Sequence, residues 1–167
     1  MKRFSILSIL LLMLLCGCSQ NQSSSVLNNP YEISTNDGVL SYYGEKSDFE
    51  SAGFDSFSKA LESSMSKKNN VFANKEGIVR NIVITDRDIV TYRNISVGDS
   101  VDKIENAFAH EVNLNTSYSV LFDGVTEINP KNSSPIQDDF IWINYTTNGK
   151  TIEKITIYDV LYGKEMK

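Results

Sequence analysis

"FIWINYTTNGKTIEKITIYD", residues 140–159, is the stretch whose reading decides the fold. Phe140 to Thr147 and Lys150 to Asp159 are rich in β-branched and aromatic residues and alternate in polarity. Asn148–Gly149 between them is a strong hairpin signal, because both residues tolerate the left-handed backbone of a tight turn. A strand pair is therefore expected here. Immediately upstream, "TSYSVLF" (Thr116 to Phe122) places Tyr118, Val120 and Phe122 on one face, which suits a sheet with one side covered.

Further upstream the pattern recurs. Asn70 to Lys75, a Lys–Glu–Gly turn and "IVRNIVIT" (Ile78 to Thr85) read as two more strands, and "NIVITD" ending at Asp86 looks like "KITIYD" ending at Asp159. Each strand group follows a helix-like segment. Phe54, Phe57, Leu61 and Met65 share their spacing with Val101, Ile104, Phe108 and Val112, and either set would line one side of a helix. Asp99 is the candidate N-cap of the second helix, with Asp102 in its first turn. The expected fold class is α+β: an antiparallel sheet with helices on one face, built from two similar helix-then-strands halves at about 54–86 and 95–159. "YEISTNDGVLSYY" reads as a further hairpin around Asp37–Gly38, and Gly124 to Asp139, with Pro130 and Pro135, as a long loop.

The chain has 167 residues, 41% of them hydrophobic, and a formal charge of −5. An acidic balance without clustered Lys and Arg argues against a nucleic-acid partner. It also disfavours a polybasic membrane patch. A domain spanning 31–167 is large enough to bury roughly two-thirds of its unfolded surface without disulfide or metal.

The start of the chain differs in kind. Lys2 and Arg3 precede an apolar run from Ile6 to Leu15, too short to span a bilayer but suited to a signal peptide. Leu15–Cys16–Gly17–Cys18 follows, and it holds the two cysteines of the sequence. It resembles a bacterial lipobox: a branched apolar residue stands three before the cysteine, and the small Gly17 directly precedes Cys18. That resemblance implies removal of residues 1–17 and a diacylglyceryl thioether on Cys18, holding the chain to the extracytoplasmic face of the cell membrane. Two acyl chains, at about 0.8 kcal/mol per buried methylene, make a stable anchor where one is marginal. An ordinary secreted protein with paired or free cysteines is the alternative. Ser19 to Pro30, "SQNQSSSVLNNP", reads as a flexible polar tether, so that 18–30 links the anchor to the domain.

"NISVGDSVDKIENAF" (Asn94 to Phe108) resembles the opening of the domain in small envelope lipoproteins of the SmpA/OmlA type. It is also similar to the repeats of β-lactamase-inhibitor-like proteins. Ile95, Gly98, Asp99, Ser100, Val101 and Ile104 carry the likeness; the family helix usually closes on glycine, where this chain has Ala109–His110. The resemblance spans about 65 residues and implies a fold and a habit of contact with other proteins, with no catalytic residues.

The remaining motifs have bland readings beside their sharper ones. Ser56-x-x-Lys59 and Ser64-x-x-Lys67 match the nucleophile spacing of penicillin-recognising acyl enzymes, but the partner elements Ser-Asp-Asn and Lys-Thr-Gly are absent. His110 is the single histidine and sits at a helix end. Asp86–Arg87–Asp88 and Asp138–Asp139 could offer oxygens to a cation, without the spacing of a calcium loop. No enzyme, cofactor or metal is expected. Tyr118, Trp142 and Tyr145 are the candidate partner-binding residues, since such rings anchor interfaces when exposed. The expected function is a non-enzymatic envelope lipoprotein that presents a protein-binding domain. The alternative is a binding module for a small ligand or cell-wall fragment, with the 124–139 loop as a lid.

Overall fold

A computed structural model describes residues 27–57, 59–132 and 135–165. The leader, Cys18 and most of the tether lie outside the described residues.

The hairpin at 141–159 is the centre of the molecule. Strands β11 (Ile141–Thr147) and β12 (Ile152–Asp159) pair antiparallel, with Ile143 opposite Ile157 and Tyr145 opposite Ile155. Gly149 takes the left-handed backbone (φ 86°), and Asn148 Oδ1 accepts from the Lys150 and Thr151 amides, closing the turn. Because side chains alternate, Ile141, Ile143, Tyr145 and Thr147 are buried while Trp142, Asn144 and Thr146 are half-buried on the other side. β9 (Ser117–Asp123) pairs with the free edge of β11, and β5 (Val79–Ile84) with that of β12.

Eight further strands complete two sheets around these four elements. β10 (Thr126–Ile128) and the short β8 (Val112–Asn113) flank β9, while β4 (Asn70–Ala73) and β3 (Asp55–Phe57) extend beyond β5. The result is an eight-stranded sheet in the order β10-β9-β11-β12-β5-β4-β3, with β8 beside β9. β1 (Glu32–Thr35) and β2 (Gly38–Ser41) form the expected hairpin, and with β6 (Val90–Thr91) and β7 (Ile95–Ser96) they make a second sheet of four. The core lies between the sheets. Ile33 and Ile95 of the small sheet join Val120, Ile143, Ile155 and Ile82 of the large one, and the Tyr92 ring packs edge-on against Phe122 at 5.3 Å.

This is a mainly β protein, and the α+β expectation is overturned: strand accounts for 43% and helix for 17%. The helices α1 (Lys46–Ser51), α2 (Ala60–Met65), α3 (Val101–Ala107) and α4 (Val160–Glu165) have only six or seven residues. Helices that short have little stability of their own and follow the packing of the sheets. They also occupy both sides of the large sheet, not one. Phe49 of α1 enters the core, whereas Tyr162 of α4 covers Phe72 on the opposite face.

The expected first helix over 54–65 forms only in its second half, as α2; its first half is not helical. Phe54 packs edge-on against Phe49 at 5.5 Å, and Asp55–Phe57 pairs in parallel with Asn70–Phe72. Pairing with a strand beyond α2 overrides the helical spacing, and Met65, the last of the stripe, is 72% exposed. The second helix forms but stops at Phe108, which has extended backbone, and Val112 belongs to β8. Its N-cap is Ser100, whose hydroxyl accepts from the Asp102 amide; Asp99 instead accepts from the Ser96 amide and Lys103 Nζ. The two halves are therefore not copies. The expected 124–139 loop is shortened too, since Thr126–Ile128 turns back onto β9.

Candidate functional site

Registered neighbours on adjacent strands share a side of the sheet. Ile128, Leu121, Trp142 and Tyr158 thus form one row across β10, β9, β11 and β12 on the face turned away from the core. Ser119, Asn144 and Thr156 form the next row, with Asn144 Nδ2 donating to Ser119 Oγ at 2.8 Å. Toward β4 and β5 this face is roofed: α2 packs on β3, β4 and β5, and the Tyr162 ring lies 5.3 Å from Phe72 and 6.2 Å from Tyr158. Over β9, β11 and β12 the face is partly covered: Leu121 and Ser119 are buried, while Trp142, Asn144, Thr156 and Tyr158 are half-buried. An aromatic pair set among neutral hydroxyls and amides results.

Under the roof lies a buried polar cluster. Ser63 Oγ donates to Asn70 Oδ1 at 2.5 Å, and Asn81 Nδ2 donates to Ser63 Oγ and Tyr162 Oη. Asn81 Oδ1 is buried with no partner among the described residues.

The three candidate partner-binding residues are not brought together. Tyr145 is opposite Tyr118 on the core face, three residues from Trp142 and so on the other side of the sheet. Tyr145 is fully buried, its ring 5.9 Å from Phe108, and burial raises the pKa of its hydroxyl. Tyr118 has a buried ring and a hydroxyl that reaches the surface to donate to Glu105 Oε1 at 2.8 Å; that bond raises its pKa. Of the three, Trp142 alone stands on the open face.

A second cluster escaped the sequence reading. Asp159 ends β12 fully buried, accepting from Arg80 Nε at 2.6 Å and from the Tyr162 amide at 2.7 Å. Its own amide donates to Tyr42 Oη, and the Tyr42 hydroxyl in turn donates to the Arg80 carbonyl. The bond that Arg80 donates to Asp159 raises the arginine's pKa, and its guanidinium lies 5.6 Å from the centre of the Tyr43 ring. Tyr43 has φ 67°, unusual for a bulky residue, and burial followed by the Asp159 charge pushes its pKa up to about 12. A hint was available, since Asp159 shares the strand parity of Ile155 and Ile157.

The remaining motifs are dispersed. Ser56 lies on β3 and donates to Glu50 Oε1, while Lys59 is the N-cap of α2 and pairs with Glu62, so this serine and lysine do not share a helical turn. The Ser64 side chain lies outside the described part. His110 is exposed beyond the end of α3, its amide donating to Glu127. Among the described residues no group of three or more His, Cys, Asp or Glu is placed to hold a metal ion. Asp86 and Asp88 border an open groove of about 640 Å³, with Lys67, Lys68, Arg87 and Asp55 on its other walls. No described helix is long and apolar enough to cross a membrane.

No family model, no curated protein and no solved structure matches this chain.

Proposed function

We propose that the chain is a non-enzymatic lipoprotein of the cell envelope, held by a diacylglyceryl group on Cys18, whose β domain binds another protein through the open face around Trp142. The lipobox-like Leu15–Cys18 supports the anchor, and residues 19–26 supply a tether shorter than expected, since Leu27 and Pro30 are buried and Leu27 O accepts from the Arg93 amide at 3.1 Å. The observation that carries the binding reading is the half-buried Trp142 on the outward face of the large sheet, in one row with Tyr158 at the margin of the α4 roof. Rigid aromatic rings bury area at small entropic cost, and neighbouring hydroxyls and amides adapt their hydrogen bonds to a partner. The likeness of Asn94–Phe108 to envelope lipoproteins points the same way.

Crosslinking of the native molecule in its own membrane tests this reading. Trp142→Ala is expected to abolish the crosslinked product while leaving the thermal midpoint within a few degrees. An unchanged crosslinking pattern would sink it. The second reading, a site for a small ligand or cell-wall fragment, draws on the 640 Å³ groove, whose mixed charges match a molecule carrying both amine and carboxylate. A ligand-dependent melting shift lost on Arg87→Ala would favour it.

A further inference from the structure

Strand β2 is an outer strand of the four-stranded sheet, and its far side meets no other strand among the described residues. Thr35 faces Gly38 across the two-residue turn, and Ser34 faces Val39. The closing pair of such a hairpin is the hydrogen-bonded one, so the next pair is not. Val39 therefore turns both its N–H and its C=O away from β1. Neither group has a partner among the described residues, whereas Ser41 O accepts from the Gly44 amide at 2.9 Å. The Val39 side chain is 57% exposed. An edge of this kind is a template for another strand.

Helix α1 runs beside that edge. Between them lies a groove of about 220 Å³, lined by Thr35, Asp37, Val39, Leu40, Asp48 and Ala52 among others. Leu40 and Ala52 give it an apolar floor that continues into the core. Asp37 and Asp48 are exposed, neither is in an ion pair among the described residues, and no cation lines the groove.

We propose that this groove receives an extended segment of a partner protein that adds as a further strand to β2. Its backbone meets the N–H and C=O of Val39. A small apolar side chain lies over Leu40 and Ala52, and flanking Lys or Arg side chains reach Asp37 and Asp48. This is the strand-addition mode of peptide recognition, with affinity from the main chain and selection from the pocket. Charge argues for a basic partner over a second copy of this chain, because residues 36–45 around β2 contain no Lys or Arg that a second copy could bring to Asp37 and Asp48. The inference rests on the reading of the chain as a partner-binding protein, but it uses the opposite sheet from Trp142.

The test uses the full chain in detergent and a labelled peptide with a valine–threonine–valine core flanked by lysines, followed by fluorescence anisotropy. Saturable binding is expected, weakened about fivefold by Asp37→Lys or Asp48→Lys, as for the loss of exposed ion pairs. Methylating the peptide's backbone nitrogens should abolish binding. Val39→Pro should do the same, since proline removes the outward N–H while an edge strand tolerates it. Trp142→Ala should leave it unchanged. Failure of the peptide to bind at millimolar concentration overturns the proposal. So does binding indifferent to methylation and to both charge reversals, or self-association of the chain that Val39→Pro abolishes. Because Trp142-dependent crosslinking is read separately, failure at β2 leaves the open-face reading standing, and the reverse result leaves the β2 groove standing.

Discussion

Arg80 and Asp159 are 79 positions apart, yet Arg80 Nε donates to Asp159 Oδ2 at 2.6 Å across the central strands of the large sheet. The contact joins β5 to β12. Tyr42, next to the β1–β2 hairpin, accepts from the amide of the same aspartate at 2.8 Å, and the first turn of α4 donates to its carboxylate. One buried aspartate thus fastens both sheets and the C-terminal helix. Asp159→Asn keeps the shape but removes the charge that Arg80 meets. A loss of about 2–4 kcal/mol is expected by urea denaturation, toward the lower end because the Arg80 side chain keeps 22% exposure. Arg80→Met combined with Asp159→Asn should cost less than the sum of the single changes.

Tyr145 should behave in the opposite sense. Its hydroxyl is buried with no hydrogen bond of good geometry among the described residues; the nearest polar group is the Thr91 hydroxyl, which donates to Ile95 O at 2.7 Å and keeps its acceptor side toward Tyr145. Tyr145→Phe removes an unpaired polar atom from the core, so it is expected to be neutral or stabilising by about 1 kcal/mol. A loss above about 1 kcal/mol in the same denaturation experiment would mean that the hydroxyl has a partner.

Tyrosine ionisation sets an alkaline limit. Burial raises the pKa of Tyr42 and Tyr145, and that of Tyr43 reaches about 12. A raised pKa in the folded state means that the fold favours the protonated phenol. That contribution is complete below the unfolded value near pH 10 and is lost as pH rises through the folded value. The urea midpoint should therefore fall between about pH 10 and about pH 12. Phenolate absorbance from Tyr42 and Tyr145 should appear only with unfolding. Tyr43→Phe should flatten the early part of that decline.

Gly98 has φ 92°, and its amide donates to Ile152 O at 2.8 Å beside the central hairpin. Gly98→Ala should cost about 1–2 kcal/mol through backbone strain. Arg87 Nε lies 3.0 Å from where the new methyl would sit, but a long side chain can move aside. Adding Arg87→Ala should therefore recover little of the loss in thermal midpoint.

The proposed anchor makes its own demand. Cys18→Ser should leave the leader uncut and prevent acylation, which mass spectrometry of the membrane fraction would show as the absence of a lipidated N-terminal peptide. An unmodified mature N-terminus in the unaltered chain would remove the lipoprotein reading.

The central strands and the start of α3 were legible, whereas the short edge strands and the break in the first stripe were not. Asn148–Gly149 and the alternation around it are local signals, and the pairs they foretold at 70–85 and 141–159 are present. The stripe from Phe54 to Met65 misled because β3 forms by parallel pairing with β4 on the far side of α2, which helical spacing cannot register. The opposite facing of Trp142 and Tyr145 was implicit in their odd separation along one strand. That Tyr118 sits against Tyr145 depends on register between distant strands. The meeting of Arg80 with Asp159 likewise needed the complete sheet order. The groove beside β2 was hidden because it depends on which strand of the small sheet is left outermost.

The junction of β5 with β12 also bears on how such a chain could be exported. Delivered N-terminus first, residues 79–84 would have nothing on their open side until 152–159 had come through. Closure must wait for the late-arriving segment, and a product cut short at Asn148 would expose bare sheet where a finished molecule has its centre. The interval before that last zippering is when a holding chaperone or a protease would decide the fate of each copy.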